Sequence, residues 1–297
     1  MSQRLFVDGA SGTVGLAVMP HLMKLLEEEL LSEVVVLSED ARKDTDARMA
    51  AMAEADIVLL CLPDDVALAA ARMAKEVNPA VRLLDASAAH RCQPDWEYGL
   101  PELHPRMAQR IRSAQQVANP GCFATGCILL AKPLSTRYPL LLPHADGGLP
   151  WMAFQGITGY SAAGSRGQPA DTMPYLAQLG RPHRHLAEIA RYAHVTPMLT
   201  TMVGSWRQGM LVQAMVPLRA PDVYVAYIEA YGRCSDIDLR LAPQGGDKLS
   251  ALVANGTNQV HLVVAPCGDG TLVAAAFDNL GKGSAGAAAH NLRLMLS

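Results

Sequence analysis

Residues 4–15 read RLFVDGASGTVG. A short apolar run, RLFV (4–7), runs into glycines at 9, 12 and 15, and a helix-like stretch follows, LAVMPHLMKLLEEELL (16–31). Strand, glycine turn and helix in that order open a dinucleotide-binding domain. Glycine lets the backbone approach a pyrophosphate, and the helix N-terminus supplies N–H donors and partial positive charge. The same spacing also suits a mere packing turn, so the reading rests on position: the loop stands at the head of a series of β/α units. Gly9, Ala10, Ser11, Gly12, Thr13 and Val14 are then the expected cofactor contacts. Pro20 either bends the first helix or marks its late start.

The pattern continues outward. EVVVLS (33–38) reads as a second strand, ARKDTDARMAAMAEA (41–55) as helix, DIVLLCLP (56–63) as a third strand stopped by Pro63. DDVALAAARMAKEV (64–77) is helical and VRLLDAS (81–87) a fourth strand. Strands alternating with helices predict an α/β fold, a doubly wound parallel sheet of Rossmann type. After residue 120 the pattern changes. CFATGCILLAKPLS is helix-like, and MAFQGITGYS, HVTPMLTTMVGSW, MLVQAMVPL and VHLVVAPC read as strands. PADTMPYLAQL (169–179) and HRHLAEIARYA (183–193) are helical in composition, while DVYVAYIEAYGRC (222–234) suits either strand or helix. An α+β second domain is expected.

The 297 residues suggest one large or two ordinary domains, and with 50% hydrophobic and 18% charged residues the chain reads as globular. A net charge of −3 gives no broad attraction to nucleic acid. No apolar run approaches the ~18 residues of a membrane span. The opening MSQRLFVDGASG is unlike a signal peptide, so a cytoplasmic protein is the expectation. Six scattered cysteines form no C-x-x-C pair and are expected to be thiols. Cys122 and Cys127, five apart, would not share a helix face, which argues against zinc; no metal is expected.

Ser38 ends the second strand, with Arg42 and Lys43 just beyond. A hydroxyl and two cations suit a 2′-phosphate, so NADP(H) is favoured, although Glu39 and Asp40 keep NAD open. NPGCFATG (119–126) carries Cys122 where a turn becomes a helix. An N-terminal helix position favours thiolate, the form that attacks a carbonyl, yet most free cysteines are small buried hydrophobes, and the octapeptide alone does not choose. The other five cysteines read as structural. RPHRHLAEI (181–189) offers His183 and His185 for proton transfer. At helical spacing they would point in different directions, so one of them is expected to act; exposed histidines are the bland alternative. Arg91, after the fourth strand, is either an anion clamp or a surface arginine.

Taken together, DGASGTVG, LCLPDDVA, DASAAHR, YGLPEL, NPGCFATG, GYSAAGSRG, HRHLAEI, RQGMLVQ, NGTNQVHL and DNLGKGSAGAAAHNLRLML make the chain resemble N-acetyl-gamma-glutamyl-phosphate reductases, the shorter of that family's two types. The resemblance spans nearly the whole chain. It implies a semialdehyde-dehydrogenase-like enzyme. Residues 1–120 with 279–297 would form the NADP domain and 121–278 the catalytic and oligomerisation domain. It implies NADPH-dependent reduction of an acyl phosphate to a semialdehyde plus phosphate, with Cys122 as nucleophile and His185, or else His183, as acid/base. Cys61, Leu62, Pro63, Ser87, Asn279 and Lys282 would extend the cofactor surface. Arg91, Asn119, Ser161, Arg166, Gln208 and Gly209 would face the substrate. A homo-oligomer, dimer or tetramer, built through the second domain's sheet is implied. Relatives often carry Gly-Gly and Lys where this chain has AAGSR, and Asn and Phe where it has Ser205 and Trp206. Aspartate-semialdehyde dehydrogenase, with the same chemistry on a shorter substrate, and a non-catalytic NADP-binding regulator are the alternatives.

Overall fold

The largely apolar runs at 5–8, 57–60 and 83–85 form strands buried on both faces, as the centre of a parallel sheet requires, while the run at 31–35 is a half-exposed edge strand. A computed structural model describes residues 3–139, 148–162, 173–242 and 248–297. The chain divides into two compact units, Met1–Pro101 with Pro105–Pro120 and Ser284–Ser297, and Glu102–His104 with Gly121–Gly283.

The first unit runs β1 (Gln3–Asp8), α1 (Thr13–Glu27), β2 (Leu31–Val35), α2 (Thr45–Ala53), β3 (Ile57–Leu60), α3 (Asp64–Val77), β4 (Arg82–Asp85), β5 (Glu97–Tyr98), α4 (Met107–Ser113) and β6 (Gln116–Ala118). Its sheet has the order β2-β1-β3-β4-β6-β5, and every pairing is parallel. Phe6, Val58, Leu60 and Leu83 pack with Met52 of α2 and Ala70, Ala71 and Ala74 of α3. Small alanines on α3 let that helix lie close to the strands. Helix α1 starts at Thr13 and contains Pro20, which neither delays nor ends it.

Two glycines fix the loop. Gly9 has φ +90°, and a Cβ there would lie 2.4 Å from the Cys61 carbonyl oxygen. A Cβ at Gly15 would lie 2.5 Å from the Gly9 carbonyl oxygen. The strand-to-helix turn is therefore folded back on itself and against the end of β3.

The second unit comprises α5 (Cys122–Arg137), β7 (Trp151–Thr158), β8 (Tyr175–Ala177), α6 (Leu186–Ala193), β9 (Thr196–Val203), β10 (Met210–Val216), α7 (Ala220–Tyr231), β11 (Ile237–Leu241), β12 (Val260–Cys267) and β13 (Gly270–Phe277). Its mixed sheet has the order β11-β12-β13-β10-β7-β9-β8. Burial alternates strictly along β10 and along most of β7, so one sheet face is covered, by α5, α6 and α7, and the other is open. The ambiguous stretch at 222–234 is helical from Ala220 to Tyr231. The helix expected over 169–179 is not found: its described part contains the edge strand β8, paired antiparallel with β9.

Helix α8 (Gly286–Leu296) returns to the first unit and packs on α1 and α4. The Asn291 amide donates to Gly99 O at 2.9 Å and Asn119 Oδ1 at 3.0 Å. The return comes at Ser284, five residues after the expected 279, because residues 278–283 bond within the second unit. The Gly283 N–H donates to Asp278 O at 2.9 Å, and Lys282 forms an ion pair with Glu102. That pair is sealed, Lys282 being 1% exposed. Lys282→Met leaves a buried carboxylate without its cation, and unfolding stability is expected to fall by about 3–5 kcal/mol. Denaturant melts of Lys282→Met and Lys282→Met/Glu102→Leu check this: the double variant should recover most of the loss, and an unchanged single variant would refute it.

Candidate active site

The turn Asn119-Pro120-Gly121 aims the chain into α5. Gly121 is the N-cap, with φ −77° and ψ 147°, and Cys122 is the first helical residue. The first intrahelical bond runs from Thr125 N–H to Gly121 O at 2.8 Å. From Phe123 to Ser135 the helix is buried almost throughout, so its N-terminus is held by the core itself. The Cys122 thiol is partly exposed at the positive end of the helix dipole, where thiolate is favoured. Cys61 and Cys127 differ. Burial, with Asp85 and Asp8 nearby, pushes the Cys61 thiol up to about 12. Burial, Glu188 and Cys122 push that of Cys127 well above the usual range.

Helix α6 meets this first turn. The Gly121 N–H donates to Glu188 Oε2 at 3.1 Å, and Glu188 Oε1 lies 3.9 Å from His185 Nε2. The Phe123 ring lies 5.5 Å from that of His183 and 6.4 Å from that of His185. The two histidines do not diverge as helical spacing suggested. They precede α6 rather than lying on it, and their rings are 4.5 Å apart, edge to face. They are not equivalent. His183 Nδ1 accepts the His185 backbone N–H at 3.1 Å, and burial with Arg184 lowers its pKa to about 4. His183 is thus neutral and occupied at neutral pH, whereas His185 stands beside the Glu188 carboxylate. Glu188 escaped the sequence reading; its signal was its place three residues after His185, one helical turn away.

Four residues expected at the substrate or nicotinamide form one hydrogen-bonded cluster. The Asn279 amide donates to Ser161 Oγ at 2.9 Å, its oxygen accepts the Gly209 N–H at 2.7 Å, and Gln208 Nε2 donates to Asp278 Oδ2 at 2.6 Å. Asp278, also missed, accepts the N–H groups of Gly256 and Leu280 as well. The cluster reaches the thiol through Gly283, whose N–H is held by Asp278 O and whose Cβ, if present, would lie 2.9 Å from Cys122 Cβ. Lys282 does not join it. It forms a buried ion pair with Glu102 instead. Arg166 lies outside the described residues.

In the first unit a cavity of about 660 Å³ is lined by Asp8, Gly9, Ala10, Ser11, Arg42, Lys43, Arg48 and Leu62, with an apolar wall from Leu16, Met19, Val36 and Val66. The Arg42 guanidinium donates to Ser11 Oγ at 3.1 Å and Glu39 Oε1 at 3.2 Å. Apolar wall, glycine turn and surface cations fit an adenosine phosphate. Gly12 is the N-cap of α1, which Thr13 and Val14 begin, and Pro63 is the N-cap of α3. Ser38 Oγ accepts the Ala41 N–H at 3.3 Å, and the Cys61 carbonyl backs Gly9. Ser87 is buried and donates its hydroxyl to Asp85 Oδ2 at 2.7 Å. These line no part of that cavity. Arg91 is buried, its Nε donating to the Asn119 carbonyl at 2.9 Å.

The semialdehyde dehydrogenase NAD binding domain model matches residues 5–111, and the semialdehyde dehydrogenase dimerisation domain model matches residues 122–279. The N-acetyl-gamma-glutamyl-phosphate reductase of Burkholderia lata is 37% identical over 319 residues, covering 100% of this chain and 97% of the relative. The chain belongs to the N-acetyl-gamma-glutamyl-phosphate reductase family. N-acetyl-gamma-glutamyl-phosphate reductase 2 of Pseudomonas putida is 36% identical, covering 98% of this chain and 96% of the relative. Among solved structures, aspartate semialdehyde dehydrogenase II from Vibrio cholerae superposes with a TM-score of 0.75 at 18% identity, covering 99% of this chain and 98% of that one. Aspartate semialdehyde dehydrogenase with NADP from Candida albicans gives 0.69 at 13%, covering 100% and 98%. These two likenesses are of fold. No helix among the described residues is long and apolar enough to cross a membrane.

Proposed function

We propose that the protein reduces N-acetyl-gamma-glutamyl phosphate to N-acetylglutamate 5-semialdehyde and phosphate with NADPH, a step of arginine biosynthesis. The observation that carries this reading is the Cys122 thiol at the N-terminus of a buried helix, with Glu188 bonded to the same turn and His185 beside that carboxylate.

The Cys122 thiolate attacks the acyl carbon, the carbon–phosphate oxygen bond breaks, and phosphate leaves as a thioester forms. Arg91 is the candidate to neutralise the leaving phosphate, as a guanidinium does with paired hydrogen bonds. Bound NADPH supplies the hydride that reduces the thioester carbon. His185 donates a hydrogen bond to the resulting oxyanion, with the negative charge of Glu188 3.9 Å from its Nε2. Collapse breaks the carbon–sulfur bond and regenerates the thiolate with the aldehyde. Ser161, Gln208, Gly209 and Asn279 shape the acyl pocket. Gly9, Ala10, Ser11, Arg42, Lys43 and Leu62 hold the adenosine half of the cofactor, with Arg42 and Lys43 favouring the 2′-phosphate.

The first unit is thus the cofactor domain and the second the catalytic domain. The protein acts as a homo-oligomer through the open face of the second unit's sheet, where Trp151, Met198 and Met215 stand 43–54% exposed. A cytoplasmic location suits six cysteines outside disulfides and a phosphorylated metabolite. The test is the reverse reaction. NADP reduction with N-acetylglutamate semialdehyde should require inorganic phosphate and should exceed that with aspartate semialdehyde. Phosphate-independent oxidation would sink the acyl-phosphate scheme, and a preference for aspartate semialdehyde would reassign the substrate.

A further inference from the structure

Asp8 presents a problem for an anion site. It is the residue immediately before Gly9, it is 4% exposed, and it lines the wall of the cavity described above. A carboxylate there faces the place where a glycine loop receives phosphate. In a poorly solvated setting its repulsion of an incoming anion is large. Among the described residues only one cation answers it. Arg48 reaches across from α2, donating to Asp8 Oδ2 from one terminal guanidinium nitrogen at 2.7 Å and from Nε at 3.2 Å. It is 13% exposed and lines the same cavity. The remaining nitrogen, NH1, has no hydrogen-bond partner among the described residues.

Buried ion pairs are weak stabilisers, and an apolar pair of similar volume commonly holds a fold as well. Two opposite charges in the wall of that cavity therefore call for a reason besides stability. We propose that Arg48 is a positioning residue for the cofactor: by neutralising Asp8 it makes the glycine loop permissive for the diphosphate of a nicotinamide dinucleotide. It acts on what NADPH and NADH share, whereas Arg42, on Ser11 at the cavity surface, acts on the 2′-phosphate by which they differ. The inference rests on reading the loop as a dinucleotide site. If the unaltered protein bound neither dinucleotide, that reading would fail, whereas the pattern among variants tests Arg48.

The experiment is equilibrium binding of NADPH and NADH, followed by protein fluorescence, with thermal melts as a control for folding. Arg48→Met is expected to weaken both cofactors by a similar factor, at least tenfold, and Arg42→Ala to weaken NADPH alone. Asp8→Asn/Arg48→Met removes both charges and should regain most of the lost affinity. Asp8→Asn alone should bind both at least as tightly as the parent, which keeps the idea testable if Arg48→Met does not fold. Unchanged affinities in a folded Arg48→Met would overturn the proposal. So would a loss confined to NADPH, which makes Arg48 a reader of the 2′-phosphate. A double variant as weak as Arg48→Met also overturns it, since the cation would then act directly rather than through Asp8.

Discussion

Cys122→Ala is expected to lower kcat by about 10⁴-fold or more, the scale on which removal of a nucleophile acts in enzymes that work through covalent intermediates. Binding of NADPH and the melting temperature should stay near those of the parent. The separation follows from the geometry. The substitution keeps the Cβ that packs on Gly283 and removes only a partly exposed sulfur. Alanine is also the better helix former, so α5 loses nothing at its first residue. Single-turnover measurements with the acyl phosphate provide a sharper check: the parent should release phosphate before any NADPH is consumed, and the variant should not. Turnover at near-parent rates would mean that no thioester lies on the path.

Glu188→Gln is the second change with a large expected effect. A glutamine can still accept the Gly121 N–H, so the start of α5 should hold, but it removes the charge beside His185. We expect kcat to fall by about 10²-fold, the lower end of what general acid–base assistance contributes, with KM and NADPH affinity nearly unchanged. His185→Asn should fall at least as far. His183→Asn should not, because that imidazole is already neutral and its Nδ1 is taken by a backbone N–H. Glu188→Ala adds a stability loss of about 1–3 kcal/mol, since the Gly121 N–H then has no acceptor. If Glu188→Gln kept full kcat, Glu188 would be only a helix cap.

The cofactor unit was easy to read because its elements announce themselves locally. Gly9, Gly12 and Gly15 follow a strand and open a helix, and three further hydrophobic runs repeat the period. What stayed hidden there was short or long-range. β5 has two residues and β6 three, too few for any pattern, and both owe their place to neighbours along the sheet. Arg48 stands 40 positions from Asp8. The second unit was less legible. β13, GTLVAAAF, is rich in alanine, a residue depleted in strands, and is held by pairing with β10 and β12 and by packing against α5 and α7. In β8 three residues were enough to overturn a helical composition, because an edge strand takes its conformation from its partner β9. Within the candidate site, Cys122, His185, Gln208 and Asn279 were visible as chemical types. Glu188 and Asp278 were not, since a carboxylate that positions other groups looks in sequence like any other.

Burial of α5 has a further use. Cys122 and Cys127 ride on one helix, the first partly exposed and the second wholly enclosed. A thiol reagent added to the native protein modifies the first quickly, whereas Cys127 can react only when the helix leaves its cavity, and a helix packed into the middle of a domain leaves only when that domain opens. The chain therefore contains its own clock for opening of the second unit. With Cys122 blocked by a reversible acyl group, the modification rate of Cys127 measures how much an occupied nucleophile slows that opening, with no added probe.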